Sequence, residues 1–387
     1  MTTTAVEEDT ESGFFSGKRP WSKIKDRILG HYMAPYLKKV AMLKKSILLV
    51  DGFAGPGTFE DGTSGSPLIM CEQAEHNVAD NYVAVFVNKE KKHHNTLEQT
   101  LAEYIKKGAA FPILGKAQDL LKQIQSIAED ATLFVYIDPF GLKGCEFDTV
   151  ASILGRGQSL STEILVNISM PTLHRLSAHD AVAQGRGESQ QVKWRHALLT
   201  RVLGGDYWKE PMLNNELSPS QKEELVMEQY LNKLRGLLPY AGSCPVRETK
   251  TSRVKYYVTF CSRHPDAMVL MNDIMLDAYN AYMYEREKES IPLFAETMPD
   301  WKDLHGKDVH LELKEKIDKL ISSQPGFTRP RFWETIVNTD FMKYRRSELN
   351  KAIDELMDEG KVDSPTQRRT KRLNETCILI PKGSKNP

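Results

Sequence analysis

Short apolar runs alternate with amphipathic stretches along most of the chain. Five of these runs are too short for helices and are almost continuously apolar, which is typical of buried parallel strands. They are Ser46–Val50, Tyr82–Val87, Phe111–Leu114, Thr132–Ile137 and Glu163–Ile168. Helices predicted between them complete the pattern of an α/β fold with a doubly wound, Rossmann-like sheet.

The pattern changes after the fifth predicted strand. Residues 170–242 are polar at first and then helical, and we interpret them as an insertion. Two later runs, Cys244–Glu248 and Val254–Cys261, predict an antiparallel hairpin at the end of the sheet. Three helical patterns and two short apolar runs around a basic loop then predict a winged helix. The predicted organisation is a disordered tail, an α/β domain that contains the insertion, a linker and a winged-helix-like domain, over residues 1–13, 14–284, 285–307 and 308–387.

An acid and three glycines follow the first predicted strand in the run DGFAGPG, Asp51–Gly57. Glycine lets the backbone approach a ligand and adopt a positive φ without a Cβ clash. The run lacks the lysine of a phosphate-binding P-loop, and Glu60 stands at the third glycine position of a dinucleotide fingerprint. An acid before the turn suits the cationic end of S-adenosylmethionine, although an ordinary tight turn is the alternative. The residues predicted to bind this cofactor are Asp51, Phe53, Gly55 and Gly57.

The same run, followed by DGTSGSPL at Asp61–Leu68, resembles the three-Cys-motif partner proteins (TcmP), a bacterial and phage-associated family. The similarity extends from about Phe14 to about Tyr282. The resemblance implies a class I methyltransferase fold, whose sheet ends in an antiparallel hairpin, and S-adenosylmethionine as the cofactor. It also implies a protein partner, the neighbouring three-cysteine protein, which is similar to radical-SAM enzymes.

Polar residues after the second and third strands extend the predicted cofactor site. In class I methyltransferases an acid at the end of the second strand takes the ribose hydroxyls, but here Asn88 stands there, with Glu90 two residues later. Either side chain holds the ribose, or the site has decayed. After the third strand, Gln118 or Asp119 is predicted to bond the adenine amine, and the alternative is that Asp119 is a helix N-cap.

The fourth predicted strand ends in Asp138-Pro139-Phe140-Gly141. This run resembles the D/N-P-P-aromatic turn of methyltransferases that act on nucleic-acid amines, and, because the second proline is absent, the turn of tRNA guanine-N2 methyltransferases. The resemblance implies that Asp138 and the Pro139 carbonyl orient the target amine and that Phe140 stacks on the base. A plain turn at a strand end is the alternative.

The charge of the chain is balanced, with 52 basic and 52 acidic residues, so only local patches can indicate a charged partner. The helix predicted from Ser22 to about Lys45 is basic, and we interpret its lysines, Lys25 included, as a solvated face. The loop of the winged helix is also basic, and phosphate contacts are predicted there unless the domain binds protein instead. The predicted nucleic-acid contacts are Arg368, Arg369, Lys371 and Arg372.

Five cysteines without a C-x-x-C pair predict reduced thiols in a cytoplasmic protein and no metal site. No apolar run approaches the ~20 residues of a membrane span. We therefore expect a protein that transfers a methyl group from S-adenosylmethionine to an exocyclic amine of a nucleic acid. The alternative is a non-catalytic adapter that keeps the fold and serves the three-cysteine partner; Asn88 favours the adapter, whereas the two strand-end motifs favour the enzyme.

Overall fold

A computed structural model defines the fold in two compact units, Met1–Ala267 and Met268–Pro387. It describes residues 20–157, 160–178, 189–290, 306–364 and 377–383. Within these ranges no helix combines the length and the apolar character that crossing a membrane requires.

The first unit is built on one seven-stranded sheet. In chain order, β1 to β7 are Ile47–Asp51, Tyr82–Asn88, Ala110–Leu114, Thr132–Ile137, Thr162–Ser169, Tyr240–Arg247 and Val254–Ser262. Their spatial order is β3-β2-β1-β4-β5-β7-β6. β1 to β5 pair in parallel, and β7 pairs antiparallel with both β5 and β6. The predicted α/β class with a mostly parallel sheet is confirmed.

Helices connect the strands and cover the sheet. In chain order, α1 to α12 are Pro20–Ala41, Ser66–Val78, Lys91–Thr100, Ala102–Lys106, Ala117–Leu121, Ile124–Ile127, Phe147–Leu154, Met170–Ser177, Gln190–Leu203, Lys209–Leu213, Pro219–Arg235 and Pro265–Ser290. The segment that we predicted to be an insertion contains α8 to α11, and its residues 179–188 lie outside the described ranges.

Alternation along the strands supplies an apolar surface on each face of the sheet. Phe134 of β4 faces α1, where it packs with Tyr32 and Tyr36, and Tyr32 also meets Phe260 of β7 at 5.3 Å between ring centroids. The next residue, Val135, belongs to a buried cluster on the opposite face with side chains of α7, α9 and α11. The central strands of the sheet are therefore covered on both faces.

The second unit begins within α12, and its described residues form three further helices and a small sheet. Helices α13 to α15 are Gly306–Ser323, Arg329–Thr339 and Arg346–Asp358, and strands β8 to β10 are Phe327–Thr328, Val362–Asp363 and Ile378–Pro381. The strand order is β8-β10-β9, with antiparallel pairing. Asn272 of α12 bonds the Tyr344 carbonyl and the Met342 N–H, which ties this part of α12 to the unit. Residues 291–305, most of the predicted linker, lie outside the described ranges.

Candidate functional site

The carboxyl ends of the parallel strands meet at one edge of the sheet, where open α/β sheets bind their ligands. β1 ends in Asp51, which lies opposite Tyr136 of β4 in the parallel register. The Gly52 N–H donates to the Tyr136 carbonyl at 3.0 Å, so the chain that leaves β1 stays beside β4. Asp138 follows directly after β4, so the two strand-end motifs occupy neighbouring positions along the edge.

Asp51 is completely buried and holds the glycine turn. Its Oδ1 accepts from the Phe53 N–H at 2.9 Å, and its Oδ2 accepts from the Ser66 hydroxyl at 2.6 Å. Burial raises the pKa of Asp51 to about 7; the bonds from Ser66 and Phe53 lower it, and the acids Asp138 and Asp26 raise it further. Because Asp51 is 0% exposed and each of its oxygens accepts a hydrogen bond, from Phe53 and from Ser66, its direct contacts hold the turn.

The glycines of the turn differ in what requires them. Gly57 has a φ of +86°, and an added Cβ would lie 2.9 Å from Thr100 Cγ2 on α3. The left-handed backbone and the close helix therefore both require glycine there. At Gly52 an added Cβ would meet only ordinary contacts, the nearest at 3.5 Å. Gly55 lies between them and is half-buried, and its predicted contact with a cofactor stays a prediction.

Asn88, at the end of β2, is buried and uses its side chain on the protein itself. Its Nδ2 donates to the Ala54 carbonyl at 2.6 Å, and its Oδ1 accepts from the Glu90 N–H at 2.9 Å. The amide therefore ties the glycine turn to β2, and a carboxylate could not donate to Ala54. Glu90 precedes α3 as its N-cap, and its partly exposed carboxylate lies 3.5 Å from His93 Nδ1.

Phe53 and Gln118 both lie close to a glycine that the sequence did not single out. Gly144 has a φ of +105°, and an added Cβ would lie 2.5 Å from Phe53 Cζ and 3.0 Å from Gln118 Nε2. These two predicted cofactor residues are thus brought together. Asp119 is exposed in the first turn of α5, whose N-cap is Lys116, so the alternative interpretation of Asp119 as an N-cap is wrong.

A buried ion pair joins α1 to the end of β4. Lys25 is only 4% exposed, and its Nζ lies 2.6 Å from Asp138 Oδ2 and 4.6 Å from the ring centroid of Tyr256. Burial lowers the pKa of Lys25, but Asp138 and Tyr256 raise it by more, so that the pKa lies above its ordinary value. The interpretation of Lys25 as part of a solvated face is therefore wrong, because α1 turns this side chain towards the strand edge.

A chain of hydrogen bonds from β5 and β4 also fixes the carboxylate of Asp138. Asn167 Nδ2 of β5 donates to Tyr136 Oη at 3.0 Å, and Tyr136 Oη donates to Asp138 Oδ2 at 3.2 Å. Lys25 also uses Oδ2, and among the described residues no hydrogen bond reaches Asp138 Oδ1. The Asp138 side chain is 24% exposed, so Oδ1 is an acceptor that remains available at the edge.

The two residues that follow Asp138 differ in their exposure to solvent. Pro139 is buried, whereas Phe140 is 47% exposed. Gly141 has a φ of +93° and lies close to Thr172, whose N–H is capped by Ser169 Oγ at the start of α8. An aromatic ring exposed beside an open acceptor can contact a planar group that donates a hydrogen bond.

Three residues of this arrangement were missed by sequence reasoning: Lys25, Tyr136 and Gly144. Tyr136 had a signal, since it lies two residues before Asp138 and strand alternation points both to one face. Lys25 had none, because it is one of several lysines on a basic helix. The four predicted nucleic-acid contacts lie outside the described residues: Arg368, Arg369, Lys371 and Arg372.

No protein-family model and no curated protein matches the chain. Among solved structures, an O-methyltransferase from Bacillus cereus in complex with SAH is similar at 12% identity over 67% of this chain and 97% of that chain, with a TM-score of 0.32. TrmN from Thermus thermophilus is similar at 14% identity over 37% of this chain and 39% of that chain, with a TM-score of 0.24. A methyltransferase from Geobacter sulfurreducens is similar at 12% identity over 34% of this chain and 58% of that chain, also with a TM-score of 0.24. Likenesses of this strength carry no argument about the activity of this chain.

Proposed function

We propose that this chain is a class I methyltransferase that transfers a methyl group from S-adenosylmethionine to an exocyclic amine of a nucleic acid. The observation that carries the proposal is the state of Asp138, whose Oδ2 is held by Lys25 and Tyr136 while Oδ1 has no bond among the described residues. A carboxylate oxygen held in this way is suited to accept an N–H from an amine. The antiparallel pairing of β7 with β5 and β6 supports the class I fold.

The residues around the glycine turn fit the proposed cofactor. S-adenosylmethionine supplies a methyl group on a positively charged sulfur. Asp51 begins the turn and the nearby acid Asp26 acts on it electrostatically, so acids other than Asp138, which Lys25 neutralises, lie beside the turn and favour a cation there. Glu90 is the partly exposed carboxylate that could take the ribose hydroxyls, since Asn88 is engaged with Ala54.

The protein's part in the reaction is positioning. Asp138 Oδ1 and the Pro139 carbonyl would accept the two N–H groups of the amine and direct its lone pair at the methyl carbon. The N–C bond would form as the C–S bond breaks, S-adenosylhomocysteine would leave, and the proton lost by the nitrogen would pass to solvent. Phe140 stacks on the base and fixes its plane. Most of the rate then comes from proximity and orientation, because the reaction needs little acid–base chemistry.

We assign the nucleic-acid contacts to the second unit, as a winged helix. Its third helix, α15, carries two basic and four acidic residues, so this helix is a poor phosphate surface and the contacts fall to the loop between β9 and β10. Replacing the four basic loop residues Arg368, Arg369, Lys371 and Arg372 with alanine flattens the log–log salt dependence of nucleic-acid binding by up to ~3 units. A salt titration with duplex DNA, single-stranded DNA and a tRNA transcript measures this, and equal slopes for both proteins contradict it.

Calorimetry with S-adenosylhomocysteine tests the central proposal. We expect the wild-type chain to bind it, and Gly55→Val to abolish binding, because a β-branched side chain then stands where the backbone meets the ligand. Gly157→Val is the control, since Gly157 lies between α7 and β5, has no positive φ, and an added Cβ there would meet only Leu160 Cδ1 at 3.8 Å. Transfer of tritium from methyl-labelled cofactor to the same three nucleic acids then identifies the substrate. No heat with the wild-type chain at millimolar ligand contradicts the proposal.

A non-catalytic adapter for a three-cysteine partner is the second candidate. Two observations favour it. The Asn88 amide already donates to the Ala54 carbonyl instead of facing a ligand, and the edge strand β3 exposes apolar side chains. The exposed residues of β3 are Phe111, Ile113 and Leu114. Absence of cofactor binding, together with capture of the purified three-cysteine protein that is lost on Phe111→Ser, supports the adapter over the enzyme.

A further inference from the structure

The buried ammonium of Lys25 changes the charge of the site beyond holding Asp138 in place. Its Nζ lies 2.6 Å from the carboxylate, and the lysine is 4% exposed, so water screens the pair weakly. The carboxylate that faces the acceptor is therefore already balanced by a positive charge that belongs to the protein. Asp51, the next acid along the edge, uses its oxygens on Phe53 and Ser66.

We propose that Lys25 determines the class of acceptor: by neutralising Asp138 it selects an uncharged aromatic amine, as found on nucleobases, over an alkyl ammonium such as a lysine side chain or a polyamine. This inference rests on the proposed function, and it narrows the substrate to one kind of nitrogen.

The chemistry of the two amines explains the selection. An exocyclic amine on an aromatic ring is neutral at pH 7, and it needs an acceptor for its N–H groups but no counter-charge. An alkyl amine is protonated at that pH, has no lone pair to attack the methyl carbon, and must lose a proton first. In the site it would also be repelled by the Lys25 ammonium, and like charges about 6–10 Å apart in a protein of effective dielectric about 20 reduce binding by roughly tenfold to a hundredfold.

The bond pattern supports a charged and fixed Lys25. Burial lowers the pKa of Lys25, but Asp138, Tyr256 and Asp26 together raise it by more, so the pKa lies above its ordinary value and the lysine keeps its proton. The hydrogen bond and the contact with the Tyr256 ring hold the ammonium on the Oδ2 side, which leaves Oδ1 for the substrate.

Three ligands that differ only at the sulfur and its methyl group provide the test. S-adenosylhomocysteine is neutral at sulfur, S-adenosylmethionine carries a sulfonium there, and sinefungin has a carbon in place of the sulfur and a protonated amine in place of the methyl group. Calorimetry measures the affinity of each cationic ligand relative to S-adenosylhomocysteine. We expect Lys25→Met to favour the cationic ligands by about tenfold and Asp138→Asn to disfavour them by about tenfold, while Lys25→Arg keeps the wild-type ratio.

Lys39→Met is the matched control, since Lys39 lies on the same helix and loses an exposed ion pair with Asp266. Its affinity for each cationic ligand relative to S-adenosylhomocysteine should stay within about twofold of the wild-type value. If Lys25→Met does not fold, the double variant Lys25→Met/Asp138→Asn, which leaves no unpaired charge, should return the ratio to near the wild-type value.

The outcomes separate this inference from the proposed function. Binding of all three ligands with an unchanged ratio in Lys25→Met, or tritium transfer by the wild type to polylysine as readily as to a tRNA transcript, overturns the role of Lys25 and leaves the methyltransferase intact. No binding of any ligand by the wild type overturns the proposed function, and this inference with it.

Discussion

Acids are held in opposite ways in the two units of the chain. In the first unit, burial raises the pKa of Asp51 and of Glu163 to about 7 each, in spite of hydrogen bonds from Ser66 and Tyr32. In the second unit, a group of exposed or partly exposed acids has a lowered pKa, because lysines or a histidine donate hydrogen bonds to them. They are Glu312, Glu355 and Glu359.

The difference shows where this protein tolerates an unfavourable charge. Exposed ion pairs such as Lys343–Glu312 contribute little, and either partner can be replaced at small cost. A carboxyl group buried with too few donors opposes folding, so its retention calls for a role. Asp51 has one, since it shapes the glycine turn; Glu163 binds Tyr32 under α1, away from the strand edge.

The largest expected effect is on the free energy of unfolding, whose dependence on pH should have opposite signs in the two units. The raised pKa means that, between about pH 4 and pH 7, folded Asp51 and Glu163 bind more protons than the unfolded chain, so the free energy of unfolding of the first unit falls as pH rises. We expect a loss on the order of 4 kcal/mol from pH 5 to pH 8. Urea denaturation measured at each pH, with Trp208 as the buried reporter, checks this.

The double variant Asp51→Asn/Glu163→Gln should flatten that slope, whereas Glu312→Gln should leave it unchanged. The exposed acids of the second unit act in the other direction, since a lowered pKa adds stability above about pH 4.5 that is lost as pH falls below it. Asp273 is an exception in that unit, because burial raises its pKa. A first unit whose stability does not change between pH 5 and pH 8 contradicts the comparison.

Removing one partner of the buried ion pair should be the next largest effect. Asp138→Ala leaves the Lys25 ammonium buried without its carboxylate and should lower the free energy of unfolding by about 3 kcal/mol. Lys39→Ala, which breaks an exposed pair in the same unit, should cost less than about 1 kcal/mol. Equal losses in the two variants, measured by urea denaturation, would show that the strand-edge pair behaves as a surface pair.

Gly144→Ala should destabilise by about 2 kcal/mol and weaken binding of S-adenosylhomocysteine. The added Cβ would need a left-handed backbone and would displace the Phe53 ring, which lies 2.5 Å from its position. Gly62→Ala has a similar φ of +80° with nothing within 4 Å, so it should show the backbone strain alone, about 1 kcal/mol, with binding retained. Thermal denaturation and calorimetry measure the two effects, and identical results for both variants contradict the role of Phe53.

The smallest expected effect concerns Asn88. From the sequence, Asn88→Glu is expected to tighten cofactor binding, because a carboxylate can accept from two ribose hydroxyls. The bond from Asn88 to the Ala54 carbonyl reverses this expectation, since glutamate has no donor and the turn loses its tie to β2. We expect about 1 kcal/mol less stability and weaker binding of S-adenosylhomocysteine. Glu90→Gln is the complementary variant: tighter binding in Asn88→Glu, with no effect of Glu90→Gln, would restore Asn88 as the ribose ligand.

The sequence by itself determined the α/β class, the five parallel strands and the position of the two strand-end motifs. These follow from local patterns, because a short apolar run bounded by glycine or proline has few ways to be buried. Thr132–Ile137 was predicted with its exact ends, while the other strands of the large sheet differ by one to four residues at one end or both. β8 was missed, since Phe327–Thr328 has two residues and carries no periodicity.

Only the tertiary structure decided which polar side chains the protein uses on itself. Asn88 and Ala54 are 34 residues apart, and Lys25 and Asp138 are 113 apart, so no local pattern records either contact. An amide at a strand end looks the same whether it faces a ligand or a carbonyl, and a lysine on a basic helix looks solvated. The physical reason is that burial and partner choice depend on how helices pack across the sheet, which sets the desolvation of each group and the donors within its reach.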